Sequence, residues 1–182
     1  MITKISPEVS KIKFKNFGSL VYLIKIKNQN ILIDTSSKEN EKELVSSLKE
    51  LNLTPKDISI IILTHAHYDH IDNITLFPNS KIYSDFKKAI NRNHSQTKIK
   101  NILPIEKQLI KKFKIYKTPG HTQNDILILY KNILFSGDVI FHRGSIGRTD
   151  LPESSPEKMK KSLEFIKTIN YEILAPGHGS DY

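Results

Sequence analysis

Apolar and polar residues alternate along the first third of the chain with the period-two rhythm of half-buried strands. Lys11 to Phe17, Leu20 to Lys27 and Gln29 to Asp34 are predicted as three successive strands, with turns at Phe17-Gly18-Ser19 and Asn28-Gln29-Asn30. From Glu39 to Leu51 the spacing becomes helical, with Leu44, Val45, Leu48 and Leu51 on one face. Ile58 to Leu63 is apolar on both faces, as expected of a central strand. A short helix is expected to follow near His70-Ile71.

Further along, Lys81 to Ser84 reads as a short strand, Asp85 to Asn91 as a helix and Asn91 to Lys100 as a polar loop with His94 facing solvent. Strands are expected near Asn101 to Ile105, Gln108 to Lys117, Asp125 to Tyr130 and Asn132 to Ser136, with a hairpin turn at Lys131-Asn132. Ser155-Pro156-Glu157 is a helix start, because Ser caps free N–H groups and Pro is tolerated at the first helical position. Met159, Leu163, Ile166 and Ile169 form that helix's apolar stripe, and a last strand spans Glu172 to Ala175. By itself this alternation predicts an α/β fold and leaves the sheet order open.

Chemistry gathers where the strands end. Directly after the central strand, Thr64-His65-Ala66-His67-Tyr68-Asp69-His70 packs three imidazoles and a carboxylate into six positions. Imidazole and carboxylate are the usual N and O donors for zinc and similar divalent ions, and the close spacing lets one loop serve two ions. Thr118-Pro119-Gly120-His121-Thr122, Phe135-Ser136-Gly137-Asp138-Val139 and Ala175-Pro176-Gly177-His178-Gly179 each add one donor beside a glycine, just past a predicted strand. Alone, His121, Asp138 or His178 would be an ordinary loop residue. With the first cluster they bring the set to five His and two Asp, enough for two neighbouring metals.

These residues carry a resemblance to the metallo-β-lactamase superfamily, whose HxHxDH…H…D…H motif is matched by His65, His67, Asp69, His70, His121, Asp138 and His178. The resemblance runs from about Phe17 to His178. It implies a four-layer αβ/βα sandwich of two mixed sheets flanked by helices. It also implies a first metal held by His65, His67 and His121, a second by Asp69, His70 and His178, and Asp138 bridging. Gly137-Asp138-Val139-Ile140-Phe141 and the run Gly144 to Pro152 resemble small glyoxalase II-like hydrolases, and Gly147-Arg148-Thr149-Asp150 is also similar to persulfide dioxygenases. Asn73 to Tyr83 resembles another single-domain branch. Two departures stand out: Ser36 follows Asp34-Thr35 where Gly is common, and Asp72-Asn73 follows the metal loop where Gly is frequent.

The expected activity is therefore metal-dependent hydrolysis of a thioester, lactone or related ester. Two divalent ions, zinc first with iron or manganese tolerated, would lower the pKa of a shared water toward ~7 and hold it as hydroxide against the substrate. Asp69 and Asp138 are the candidate catalytic carboxylates, Asp69 as an acceptor orienting the hydroxide. Asp34 and Thr64 are candidates for orienting the imidazoles from behind, with strand-end capping as the alternative. Tyr68 could rim the pocket. Arg148 could meet an anionic substrate, though pairing with Asp150 is the favoured role, and His142 is left off the ligand set. The alternatives are a nuclease or phosphodiesterase and an iron-dependent persulfide dioxygenase. Glyoxalase II continues into a helical domain that helps bind glutathione, whereas this chain stops four residues after His178. A generic hydrolase acting on a small ester is the expectation.

Composition narrows the setting. A length of 182 residues with 38% hydrophobic content suits one domain over residues 1–182, burying roughly 70% of its unfolded surface. There is no cysteine, hence no thiolate ligand or disulfide framework. The first residues build no signal-like apolar core, and no stretch approaches the ~20 apolar residues of a membrane span. A cytoplasmic protein without membrane contact is expected. Net charge is +9, but Lys11-Lys13-Lys15 and Lys111-Lys112-Lys114 alternate with apolar residues as the solvent faces of strands do, and only Arg92, Arg143 and Arg148 are arginines. A nucleic-acid partner is therefore not the expectation, although the charge permits one.

Overall fold

The computed structural model describes residues 1–105 and 112–179. Strands β1 (Ile2–Lys4), β2 (Val9–Ile12), β3 (Val21–Ile26), β4 (Gln29–Ile33), β5 (Ile60–Ile62), β6 (Lys81–Ser84) and β9 (Ile102–Pro104) form one sheet in the order β1-β2-β3-β4-β5-β6-β9. The pairs from β1 to β4 are antiparallel, and those from β4 through β5 and β6 to β9 are parallel. A second sheet runs β10 (Phe113–Lys117), β11 (Ile126–Tyr130), β12 (Ile133–Gly137), β13 (Ile173–Pro176). Its first two pairs are antiparallel and the last is parallel.

Alternation along the central strands explains the layering. In β3, Tyr22, Ile24 and Ile26 face one cluster while Val21 and Leu23 face another; in β11, Ile126, Ile128 and Tyr130 part in the same way from Leu127 and Leu129. The first cluster is shared by both sheets, so it is the core between them. The other face of the larger sheet is covered by Leu44 and Leu48 of helix α1 (Glu41–Glu50) together with Ile71 and Phe77. The other face of the smaller sheet is covered by Met159 and Ile166 of α3 (Pro156–Ile166). These are the four αβ/βα layers. Ser155 caps α3 by accepting from Lys158 N at 3.3 Å. The start of α3 also lies close against the loop after β10, because a Cβ on Gly120 would sit 2.5 Å from Met159 Cα.

Several expectations need correction. The segment read as a helix from Asp85 to Asn91 contains instead a strand, β7 (Lys88–Ile90), paired antiparallel with β8 (Gln96–Lys98) inside the supposed polar loop. Ile90 N donates to Ala66 O at 2.8 Å, and the Ile90 side chain is buried. That tertiary pairing outweighs local helical spacing. The strand read from Lys11 to Phe17 is β2, ending at Ile12, and β1 was not foreseen. Lys11 is buried rather than on a solvent face, Val45 lies mostly outside the helix's buried stripe, and α3 stops before Ile169. The expected start of β10 at Gln108 lies outside the described residues. Among the described residues no helix is long and apolar enough to cross a membrane.

Candidate metal centre

The seven donors meet at one end of the two sheets. The loop after β5 begins at Leu63 and runs into helix α2 (Tyr68–Ile71), which carries Asp69 and His70. Main-chain bonds lace the loops together: Thr35 N donates to His70 O at 2.7 Å, Ser19 N to Asp69 O at 2.9 Å and Gly177 N to Gly137 O at 2.7 Å. Asp69 and His70, and the turns that present Asp138 and His178, are thus placed by hydrogen bonds between backbones as well as by their own contacts.

Donor atoms of His65, His67 and His121 lie within 4.8 Å of one another, and so do those of Asp69, His70 and His178. In the first group His121 Nε2 is 2.8 Å from His67 Nδ1. In the second, His178 Nε2 is 3.0 Å from Asp69 Oδ2 and 3.2 Å from His70 Nε2. Asp138 stands between them, Oδ1 3.3 Å from His70 Nε2, and Oδ2 3.6 Å from His121 Nε2 and 3.4 Å from His178 Nε2. Gly177 makes room for this, since a Cβ there would fall 2.2 Å from Asp138 Oδ1 and 2.6 Å from His70 Cε1.

The outward nitrogens of His65, His67, His70 and His121 are spoken for, which decides how the inward ones can act. His70 Nδ1 donates to Asp34 Oδ2 at 2.7 Å. Thr64 Oγ1 also donates to Asp34 Oδ2, at 2.7 Å, so towards His65 Nδ1, 3.1 Å away, the hydroxyl acts as acceptor. His121 Nδ1 donates to Arg148 O at 2.9 Å, and His67 Nε2 lies 2.5 Å from Glu153 Oε1. Asp34 and Thr64 therefore do hold imidazoles from behind. The lone pairs of His65, His67 and His121 converge on one place, and two such nitrogens 2.8 Å apart repel unless a cation or proton lies between them. Buried His65 Nε2 has no hydrogen-bond partner among the described residues, nor has Asp138 Oδ1. This is a donor set that fits divalent metal.

Electrostatics divides the two groups. Burial, reinforced by the neighbouring His70 charge, holds the His65 imidazole well below its ordinary pKa, and burial beside His121 lowers that of His67. For His70, burial opposes the cation, but Asp138 and Asp34 outweigh it and raise the pKa well above the ordinary value. His178 is likewise raised, to about 9, by Asp138 and Asp69 against burial. Burial would raise the Asp138 and Asp69 carboxyls, yet the facing imidazoles hold both below the usual range, Asp138 well below.

Two carboxylates that the sequence did not single out complete the surroundings. Asp125 accepts from His121 N at 2.8 Å and from Thr122 N and Oγ1, fixing the turn that presents His121. The Thr122-x-x-Asp125 spacing is a local turn signature that could have revealed it. Glu153 receives His67 and His94; His94 is exposed, as expected, with its Nδ1 on the Glu153 carboxylate. Ser36 takes the left-handed backbone (φ 64°) that explains why Gly is common at this position, and Asn73 donates to Thr35 O, Ser36 O and Ser37 O to hold the turn.

The donors open into a cavity of about 400 Å³ walled by Phe17, Tyr68, Arg92, Phe141, Ile146 and Leu151, among others. Phe17 stacks on His178 with ring centres 5.4 Å apart. Arg92 lies over the Tyr68 ring and pairs with Glu39. Arg148 is held by Asp150 through two bonds of 2.9 and 2.8 Å, the favoured reading of that residue. His142 is exposed and lines a different cavity.

Residues 15–178 match the family model described as "Metallo-beta-lactamase superfamily". A probable metallo-hydrolase of Methanocaldococcus jannaschii is 36% identical over 140 residues, covering 76% of this chain and 64% of its own length. Hydroxyacylglutathione hydrolase 1 of Vibrio vulnificus is 32% identical over 154 residues, covering 82% of this chain and 57% of its own length. The chain thus spans less than two thirds of these two relatives. Among solved structures, TTHA1623 in a di-iron-bound form superposes with a TM-score of 0.75 at 22% identity, covering 93% of this chain and 92% of that one.

Proposed function

The chain belongs to the metallo-beta-lactamase superfamily, a family of metallo-hydrolases, and from that premise we propose that it is a dinuclear metal-dependent hydrolase of a thioester, lactone or related ester. The observation that carries this reading is the pair of three-donor groups with Asp138 between them. His65, His67 and His121 would hold the first ion, Asp69, His70 and His178 the second, and Asp138, standing between the groups, would serve both. Zinc suits these donors, while the di-iron form of a structural neighbour keeps iron in the comparison. When bound, such ions supply Lewis acidity and a water acidic enough to react near neutral pH.

The protein's own groups do the remainder. Asp69 lines the cavity as well as the second group, where its carboxylate would accept a hydrogen bond from an attacking water and so orient it. Phe17, Phe141, Ile146 and Leu151 offer an apolar wall to an acyl group and thin the water around the reacting carbonyl. Arg148, engaged with Asp150, is not a ready anion clamp, which favours a neutral ester or thioester over a phosphodiester. The likeness to a hydroxyacylglutathione hydrolase supports a thioester among these.

Elemental analysis of the purified chain, with parallel assays on thioester, lactone and phosphodiester substrates, tests the reading. Two metal ions per chain with ester or thioester turnover is the expected result. Phosphodiester turnover alone would replace it by the nuclease reading, and one iron with oxygen consumption by the dioxygenase.

A further inference from the structure

His67 differs from the other members of the first donor group. His65 and His121 turn Nε2 inward, whereas His67 turns Nδ1 inward, towards His121, and leaves Nε2 pointing away from the centre. That outward nitrogen meets Glu153 Oε1 at 2.5 Å. The Glu153 side chain is only 7% exposed and also faces His94 Nδ1, at 3.0 Å from Oε1 and 3.2 Å from Oε2. One buried carboxylate is therefore shared by an imidazole of the metal loop and one from the turn between β7 and β8.

The backbone around Glu153 is fixed independently of these contacts. Gln123 Nε2 donates to Glu153 O at 2.8 Å, Ser154 Oγ to His121 O at 2.6 Å and Ser155 N to Gly120 O at 2.8 Å. The carboxylate is thus anchored to the loop that presents His121, and it can set the angle between His67 and His121. A carboxylate only accepts, so the His67 proton sits on Nε2 and the lone pair on Nδ1 is free for a cation.

We propose that Glu153 is a positioning residue for the first metal, holding His67 in the tautomer and ring orientation that metal binding needs, with His94 keeping the carboxylate in place. This rests on the assignment of His65, His67 and His121 as donors to one ion. His67, His94 and Glu153 also form a group close enough to hold a cation of their own. A cation there would have to share His67 with the first metal through a doubly deprotonated ring, so the positioning role is the better fit to the geometry.

The test is zinc affinity, measured by chelator competition on the full chain. In a His178→Ala background, which isolates the first group, Glu153→Ala should weaken zinc binding about 10–100-fold, while in a His121→Ala background, which isolates the second, it should change by no more than about threefold. Glu153→Gln keeps a carbonyl acceptor for His67 and should recover most of the loss; His94→Ala should show a smaller loss in the same direction. Should Glu153→Ala fail to fold, His94→Ala carries the comparison between the two backgrounds, with a loss expected at the first group alone. Unchanged affinity at the first group, an equal loss at both, or a third zinc equivalent that disappears with Glu153 would overturn the proposal. Zinc content unaffected by His65→Ala would instead sink the donor assignment beneath it.

Discussion

His70 reaches back 36 positions to Asp34, its Nδ1 donating to Oδ2 at 2.7 Å, while Asp34 Oδ1 accepts from Thr64 N at 2.8 Å. One carboxylate at the end of β4 thereby fixes both the start of the metal loop and the imidazole that closes its helix. Replacing Asp34 by Ala is expected to weaken zinc binding at the second group about 10–100-fold and to cost about 1–3 kcal/mol for the buried N–H left unpaired. Zinc titration and urea unfolding read the two effects separately; a variant with ordinary affinity would remove Asp34 from the account.

Asp125 sets up a second prediction with a defined sign. Burial raises its carboxyl pKa to about 6 against the hydrogen bonds it accepts from Thr122 and His121. The folded state therefore holds this proton more tightly than the unfolded chain, where the value is near 3.8. The stabilisation from that proton is complete below the unfolded pKa and is lost as pH rises through about 6. Urea unfolding of chelator-treated protein from pH 4 to 7 should show this falling contribution in the wild type and not in Asp125→Ala. That variant should be less stable by about 2–3 kcal/mol at pH 7, because three donors lose their acceptor. Parallel pH profiles for the two proteins would contradict the assignment.

Metal uptake is expected to release protons. His178, raised to about 9, and His70, raised above its ordinary value, are protonated at neutral pH when no metal competes. Binding at the second group must expel those protons, so its apparent zinc affinity should climb as pH rises through about 9. In chelator-treated protein the same His178 shift contributes stability that is full below about 6.5 and is lost as pH rises through about 9. Calorimetry in buffers of different ionisation enthalpy counts the protons, and a count of zero would contradict the account.

Gly177→Ala should harm the site more than the fold. Its new methyl would collide with Asp138 Oδ1 and His70 Cε1, at 2.2 and 2.6 Å. Hydrolysis should drop at least about 100-fold, the scale of a 1 Å misplacement, and stability by about 1–3 kcal/mol. An active Gly177→Ala enzyme would show that Asp138 need not stay where it is.

The fold was legible wherever burial imposed a period. β3, β4, β5, β11 and β12 alternate between two apolar cores, and their ends were read to within a few residues. The seven side chains that meet at the site could be picked out because four cluster in the six positions from His65 to His70, and His121, Asp138 and His178 each sit beside Gly at a strand end. Asp85 to Asn91 looks helical in the sequence because its strand exists through pairing with β8 and the metal loop, neither of which leaves a local trace. Glu153 was invisible for a related reason: it acquires its meaning from His67, 86 positions away. The rim of the cavity is likewise assembled from segments whose meeting no single stretch announces.

Anomalous diffraction from crystals grown with zinc tests the central claim most directly. Two peaks are expected, one bounded by His65, His67 and His121 and the other by Asp69, His70 and His178, each within bonding distance of Asp138. A single peak, or zinc bound elsewhere while these seven side chains keep their present contacts, would contradict the paired centre on which the hydrolase reading depends.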